Sequence, residues 1–202
     1  NCGNKVMFMA IFLSYAWKFQ DDLDAKRALD VWFDWHNSYQ NPKTGFWGEG
    51  FRSHYMDGLG GAYHQYVIYN YAKRPIAYAD QIVERTLFLQ QIDGMYYPYL
   101  GGASCNDLDA VETLVYFYIQ GNKRSEEIRS ALRKVYDGIW DMQNEDGGFC
   151  WARRRTRWLK GYVPLLTDIF RHRDLLYWYL SWRSAIRIQT LPDPTIKTGW
   201  AS

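Results

Sequence analysis

The chain is short of the features that mark several large classes of protein. Its three cysteines, Cys2, Cys105 and Cys150, are far apart and include no Cys-x-x-Cys pair. A disulfide framework and a structural zinc site are therefore not expected, and a reducing, cytoplasmic compartment fits best. The formal net charge is only +2, so no overall field favours nucleic acid as a partner. Strand signals are scarce too, because no alternating apolar run leads into an Asn-Gly or Asp-Gly hairpin turn.

A long hydrophobic segment is also lacking. The apolar run from Val6 to Ala16 has eleven residues, which is too short to cross a bilayer. No small-x-small cleavage site follows it, so it does not have the form of a signal peptide. We expect no integral membrane segment and interpret this run as a buried helix.

Aromatic residues are what the sequence has in quantity. They make up 18% of the 202 residues, with 10 Trp and 17 Tyr, and 48% of the chain is hydrophobic. Large rings can build a helical core, and Tyr and Trp also keep a polar atom for a ligand. Two interpretations stay open: a core of large residues, or an aromatic cavity for a small hydrophobic, cationic or sugar-like ligand.

A short motif recurs along the chain: a glutamine, a polar turn, a glycine and an aromatic. Its copies run from Gln40 to Trp47, from Gln91 to Tyr96 and from Gln143 to Phe149, with a weak fourth from Gln189 to Trp200. The glutamines lie 51, 52 and 46 residues apart. A near-constant period of this size indicates a repeat architecture in which the segments between the copies are equivalent units.

The segments between the copies have the pattern of helical hairpins. We predict four hairpins in a single domain that spans residues 1–202. Their helices are expected at 5–19 and 25–39, 56–72 and 76–91, 107–120 and 125–143, and 159–171 and 173–189. One helix of a pair carries regularly spaced charges and the other is more apolar, which predicts outer and inner helices. Pro75 is expected to begin the fourth helix.

The motif resembles the glutamine–tryptophan repeat of the squalene cyclase and protein prenyltransferase superfamily. The copies that begin at Gln40 and Gln143 resemble it best, and the copy at Gln91 has a shorter turn. The resemblance implies an all-α fold, an α/α toroid in which the glutamine caps an adjacent helix and the aromatic stacks on it. The family's ring has about six hairpins, so four imply an incomplete barrel: a fragment of a larger ring, an open toroid, or a ring that a partner chain or an oligomer completes.

The first candidate catalytic site follows the second motif copy. Asp107 precedes Asp109 and Glu112, which lie on one helical face. A carboxylate pair among aromatics has at least one raised pKa, which suits a general acid. The segment resembles the Asp-x-Asp-Asp acid motif of class II terpene cyclases, which implies Asp109 as the proton donor, although Ala110 replaces the last Asp. Ordinary helix capping by Asn106 or Asp107 is the alternative.

The second candidate site follows the first motif copy. Asp57 and His64 share a helical face, and a carboxylate there can orient the imidazole as a base, with Tyr63 as a substrate-binding neighbour. The three glycines between them are costly inside a helix, so they indicate a turn, a close helix contact or room for a ligand. A buried histidine with a structural role is the alternative.

A basic run follows the third motif copy, with five cations in the eight residues from 153 to 160. Such a run can hold a diphosphate or another anion, and a solvated loop or a partner contact is the alternative. The substrate-binding candidates here are Trp151, Arg153, Arg154, Arg155 and Arg157. No metal or cofactor is expected, because the Asp-x-Cys order of the prenyltransferases does not occur around Cys105.

Three functions stay open. The leading hypothesis is a toroid enzyme that acts on a hydrophobic, isoprenoid-like substrate by acid-initiated chemistry, with Asp109 as the acid and aromatics that stabilise cations. The second is a carbohydrate-active α/α-barrel hydrolase, lyase or epimerase that uses Asp57 and Asp109 as its carboxyl pair. The third is a non-catalytic interaction module, which solvent-exposed and mutually distant candidate residues would favour.

Overall fold

The computed structural model describes residues 2–47, 55–91, 93–96, 105–153 and 195–197. These residues form six α-helices and a two-stranded ribbon: α1 Cys2–Gln20, α2 Leu23–Tyr39, α3 Tyr55–Tyr71, α4 Ala79–Phe88, α5 Cys105–Ile119, α6 Ser125–Ile139, β1 Cys150–Arg153 and β2 Thr195–Lys197. The all-α fold class is confirmed. Helices α1 and α2 pack together as the first predicted hairpin. The helices predicted for the second and third hairpins are present as α3, α4, α5 and α6, whose pairing stays a prediction. The fourth hairpin, at 159–189, lies outside the described residues.

The chain divides into two compact units. The first consists of Asn1–Phe88 and Thr113–Arg124, and the second of Leu89–Glu112 and Ser125–Ser202. Helix α5 therefore begins in the second unit and ends in the first. The single domain expected over 1–202 stays a prediction.

The core of the first unit lies among α1, α2 and α3. It is formed by Ala10, Leu29, Trp32, Phe33, Ile68 and Tyr69. Trp32 and Phe33 meet edge to face with their ring centroids 5.0 Å apart, and Phe33 meets Tyr69 in the same way at 5.0 Å. Here the aromatic side chains are the packing material of a helical core.

Helix α2 begins at a strong local signal. The side chain of Asp22 accepts hydrogen bonds from the backbone N–H groups of Asp24 and Ala25, over 2.9 and 3.0 Å. A carboxylate in this position satisfies amides that have no partner within the helix. The acidic residues before α2 thus fix where the helix starts.

Helix α4 begins later than the sequence indicated. Pro75 was expected to start it at residue 76, but its first residue is Ala79. Tyr78, just before it, has a left-handed φ of 57°, which cannot continue a right-handed helix. The prediction of Pro75 as the helix start is therefore wrong.

Helix α1 is buried on one face only, which corrects the interpretation of Val6 to Ala16 as a buried helix. Ala10 and Ser14 face the core. The opposite side, called the α1 face below, exposes Phe8, Met9, Ile11, Phe12, Tyr15 and Phe19. Hydrophobic periodicity marks a buried face only where the other face is polar, and α1 is apolar all round.

The second unit contains α6 and the ribbon. Helix α6 buries Ile128, Ala131, Val135 and Gly138 along one side. The ribbon is antiparallel, with Cys150 opposite Lys197. It was not predicted from the sequence, because each strand is too short to show an alternating pattern. None of the helices in the described ranges is both long and apolar enough to cross a membrane.

Candidate functional site

Three turns with the same backbone hydrogen bonds follow α2, α4 and α6. In each turn the N–H of a glycine donates to the backbone carbonyl of a residue three or four positions earlier. The backbone N–H of that earlier residue donates to the carbonyl of the residue just after the glycine. The donor–acceptor pairs, at 2.7 to 3.0 Å, are Gly45–Asn41 and Asn41–Phe46, Gly94–Gln91 and Gln91–Met95, and Gly147–Asn144 and Asn144–Gly148. The glycines have φ values of 73°, 86° and 83°, a region that favours glycine. The three turns are therefore structurally equivalent.

The glutamine of the second turn is Gln90, and the sequence-based choice of Gln91 is wrong. Gln90 Nε2 donates to the carbonyl of Gly94 over 2.8 Å, as Gln40 Nε2 does to that of Gly45 over 2.8 Å. Gln91 occupies the next position, whose backbone N–H and carbonyl close the turn. Two adjacent glutamines fit the motif equally well, so only the hydrogen bonds identify the right one.

The glutamines of the first two turns also donate to a carbonyl at or near a helix that follows later in the chain. Gln40 Nε2 donates to the carbonyl of Ala77, just before α4, over 3.1 Å. Gln90 Nε2 donates to the carbonyl of Ala131, within α6, over 2.8 Å. In both cases one amide group joins its own turn to a segment about 40 residues further along the chain.

The turn glycines allow this close approach. A Cβ at Gly45 would lie 2.2 Å from Cγ1 of Ile82, and a Cβ at Gly94 would lie 3.0 Å from Cβ of Lys134. At Gly147 a Cβ would meet no described atom within 4 Å. At Gly45 and Gly94 a side chain is therefore excluded both by the neighbouring atoms and by the left-handed φ. At Gly147 it is disfavoured by the left-handed φ alone.

The predicted catalytic carboxylates lie at the start of α5. Asp107 and Asp109 are buried, with 4% and 5% of their surface exposed, whereas Glu112 is exposed. Asp107 Oδ1 accepts a hydrogen bond over 2.5 Å from the backbone N–H of Tyr96, the aromatic residue of the second turn. The structure therefore ties the motif directly to the candidate site.

Asp109 is the unusual acid of this group. Burial, followed by the negative charges of Glu112 and Asp107, raises its pKa from 3.8 to about 7. A carboxyl with such a pKa keeps a large share of its protons at neutral pH. Burial and the charge of Asp109 also raise the pKa of the neighbouring Cys105 thiol, which disfavours a reactive thiolate there.

The second candidate site is only partly described. Asp57 belongs to α3, but its side chain lies outside the described part, so its pairing with His64 stays a prediction. His64 is half-buried, and burial lowers its pKa. The Tyr63 ring lies 5.3 Å from the His64 ring. A Cβ at Gly58 would lie 3.2 Å from Cδ2 of Phe46, so this glycine serves a close contact.

A buried histidine that sequence reasoning passed over lies in α2. The ring of His36 stacks on that of Trp32 with centroids 3.7 Å apart, and its Nδ1 lies 2.8 Å from the Trp32 carbonyl oxygen. Trp47, the aromatic of the first turn, donates its indole N–H to the His36 carbonyl over 2.7 Å. Burial lowers the pKa of His36. The i, i+4 spacing of Trp32 and His36 could have indicated this contact, because residues four apart lie on the same face of a helix.

The predicted anion-binding run is not tested. Trp151 and Arg153 belong to β1, but their side chains are outside the described part, and Arg154, Arg155 and Arg157 lie beyond it altogether. Among the side chains that are described, no group of three or more His, Cys, Asp or Glu residues is arranged to hold a metal ion.

No family model, curated protein or solved structure matches the chain. The resemblance to the squalene cyclase and prenyltransferase superfamily therefore depends on the motif residues alone. It remains a hypothesis about this chain.

Proposed function

We propose that the chain is an enzyme that starts a reaction of a hydrophobic, isoprenoid-like substrate by proton transfer from Asp109. The observation that carries this proposal is the buried Asp109 carboxyl, whose pKa is raised to about 7. Acid-initiated chemistry needs a donor that still holds its proton at the working pH. The surface carboxylates of an ordinary helix start do not meet this need.

The proposed first step adds the Asp109 proton to one carbon of a substrate alkene. A C–H bond forms from the π electrons, the O–H bond of Asp109 breaks, and a carbocation is left on the neighbouring carbon. A water molecule takes a proton from the carbon next to the cation, a new alkene forms from the C–H electrons, and the resulting hydronium ion returns that proton to Asp109. Aromatic faces would stabilise the cation in between.

The neighbouring acids Asp107 and Glu112 affect Asp109 through their positions and charges. Asp107 is held in place by the hydrogen bond from the Tyr96 N–H. Its charge and that of Glu112 oppose ionisation of Asp109. Asp109 is therefore the proposed proton donor, and Asp107 is its positioned neighbour.

A toroid-like arrangement of hairpins is part of the proposal. The equivalent turns support it, because Gln40 and Gln90 bind the next outer helix as the resemblance implies. The completion of the ring by a partner chain stays a prediction.

The alternatives have less support. A non-catalytic module was expected to expose its carboxylates, but Asp107 and Asp109 are buried. The carbohydrate-active alternative needs Asp57, whose side chain is not described, so no observation favours it.

The test is incubation of the chain with squalene and with geranylgeranyl diphosphate, followed by gas chromatography and mass spectrometry of the products. We expect a product with the wild type and a loss of about 100-fold or more in rate with Asp109→Asn, because the proton donor is removed. Asp137→Asn, an exposed acid on α6, is the control and should keep the wild-type rate. No product, or full activity of Asp109→Asn, would refute the proposal.

A further inference from the structure

The α1 face has the form of a helix-pairing seam. Four aromatic residues form one row along the helix, because they follow one another at spacings of four, three and four positions: Phe8, Phe12, Tyr15 and Phe19. Phe12 and Phe19 are each 71% exposed, and the rings of Tyr15 and Phe19 lie 5.0 Å apart. A continuous row of exposed rings marks an interaction surface rather than scattered surface hydrophobics.

The row is complementary to itself when a second copy of α1 lies antiparallel to it. A two-fold axis between Phe12 and Tyr15 sets Phe12 against the partner's Tyr15 and Phe8 against the partner's Phe19. Each contact then occurs twice, as two-fold symmetry requires. No charged residue lies within this stretch from Phe8 to Tyr15.

The charges at the two ends of the row match in the same antiparallel arrangement. Lys5 lies before its first ring, and Asp21 and Asp22 follow its last ring; all three are exposed. Antiparallel pairing brings Lys5 of each copy to the acidic end of the other copy. Parallel pairing would instead set like charges together, which disfavours it.

We propose that the α1 face is the interface of a homodimer of this chain, with the two α1 helices antiparallel. Its six apolar side chains are between 40% and 71% exposed. With about 200 Å² for each full side chain, they present roughly 700 Å² on one copy. Two copies would bury roughly 1,400 Å², which falls within the range of stable specific interfaces.

A lipid surface is the competing occupant, and the charges of α1 disfavour it. Helices that lie on membranes carry several cations beside their apolar face. Helix α1 has two, Lys5 and Lys18, and Lys18 lies over the ring of Tyr71 at 4.0 Å. The side of α1 opposite the α1 face packs in the core, so it offers no polar face to the headgroups.

Analytical ultracentrifugation of the chain at micromolar concentrations tests the proposal. The wild type is expected to sediment as a dimer. Phe12→Glu sets two like charges beside the axis, and we expect its dimer dissociation constant to rise about tenfold or more. Ile119→Glu, at a site 72% exposed on α5, is the control and should leave the dimer unchanged. Circular dichroism checks that both variants keep their helices.

A charge exchange tests the antiparallel arrangement. Lys5→Glu and Asp21→Lys should each weaken the dimer, and the double variant should restore it. A double variant that stays weak would overturn the antiparallel arrangement. A monomeric wild type, a dimer that Phe12→Glu leaves intact, or a monomer that sediments with anionic phospholipid vesicles would overturn the interface itself.

Discussion

Gln90 donates a hydrogen bond to the backbone carbonyl of Ala131, 41 residues further along the chain. Gln40 makes the corresponding bond to the carbonyl of Ala77, 37 residues away. Since both acceptors are backbone carbonyls, the residue types at the receiving positions can vary without loss of the bond. The requirement for a particular side chain falls on the glutamines.

Replacement of Gln90 by Ala should lower the free energy of unfolding by about 2 to 3 kcal/mol, because two buried carbonyls lose their donor. Gln91→Ala is the matched control. Gln91 makes a local bond to the Leu89 carbonyl over 3.2 Å, and its Oε1 has no hydrogen bond within the described residues. Urea denaturation measures both variants, and an equal or larger loss for Gln91→Ala would contradict the assignment of Gln90 to the motif.

Gly45→Ala should destabilise the chain more than Gly147→Ala. Both glycines have a left-handed φ, which alone makes alanine unfavourable by about 1 kcal/mol. At Gly45 the new Cβ would also overlap Ile82, whereas at Gly147 it would meet no described atom within 4 Å. Overpacking adds about 1 to 3 kcal/mol. Thermal unfolding of the two variants measures the difference. Similar losses of stability in both variants would contradict a packing role for Gly45.

Asp109→Asn should stabilise the fold at alkaline pH. The folded pKa of about 7 lies above the ordinary value of 3.8, so the folded state binds the proton more tightly. The stability that Asp109 contributes is complete below pH 3.8 and is lost as pH rises through about 7. Between about pH 5 and pH 8, the variant should gain roughly 2 to 3 kcal/mol relative to the wild type.

Chemical denaturation of both proteins at the two pH values measures this gain. Glu112→Gln provides a second measurement, because removal of its negative charge should lower the pKa of Asp109. NMR titration of the Asp109 carboxyl follows that shift. A stability difference that does not change with pH would mean that Asp109 is ionised normally in the folded state.

His36 should make the fold less stable at acid pH. Burial lowers its pKa below 6.5, so the unfolded state binds the proton more readily. The stability is present above pH 6.5 and is lost as pH falls through the lower pKa of the folded state. His36→Phe keeps a ring on Trp32 and cannot be protonated, so its unfolding free energy should fall less on acidification.

The comparison of these two proteins from pH 7.5 to about pH 5.5 isolates His36, because all other titrating groups are common to both. The lost bond to the Trp32 carbonyl should lower the variant's stability by about 1 kcal/mol at every pH. Parallel pH curves for the two proteins would contradict the role of His36.

The sequence predicted the six described helices well because their signals are local. Asp22 caps α2 through its own side chain, and the glycine of each turn is required by its backbone φ. Hydrophobic periodicity then gave the helices between these points. The start of α4 at Ala79 was not predicted, because nothing in the sequence indicates that Tyr78 has a left-handed φ.

The errors concern interactions with distant parts of the chain. The choice between Gln90 and Gln91 depends on Ala131, which no local pattern identifies. The raised pKa of Asp109 was expected for an acid in an apolar setting, but the bond from Tyr96 to Asp107 was not. The exposure of the α1 face was not predicted, because a helix that is apolar on all sides gives no sign of which side packs against the core.

The bonds from Gln40 and Gln90 to later segments also bear on how such a chain can be duplicated in evolution. Gln40 finds its second acceptor beyond α3, so duplication of α1–α2 as a hairpin would leave one glutamine without that acceptor at the junction. Duplication from the start of such a turn to the end of the helix at its second acceptor would include donor and acceptor together. A duplicated segment that keeps these bonds is therefore offset from the helix pair and begins just before a glutamine.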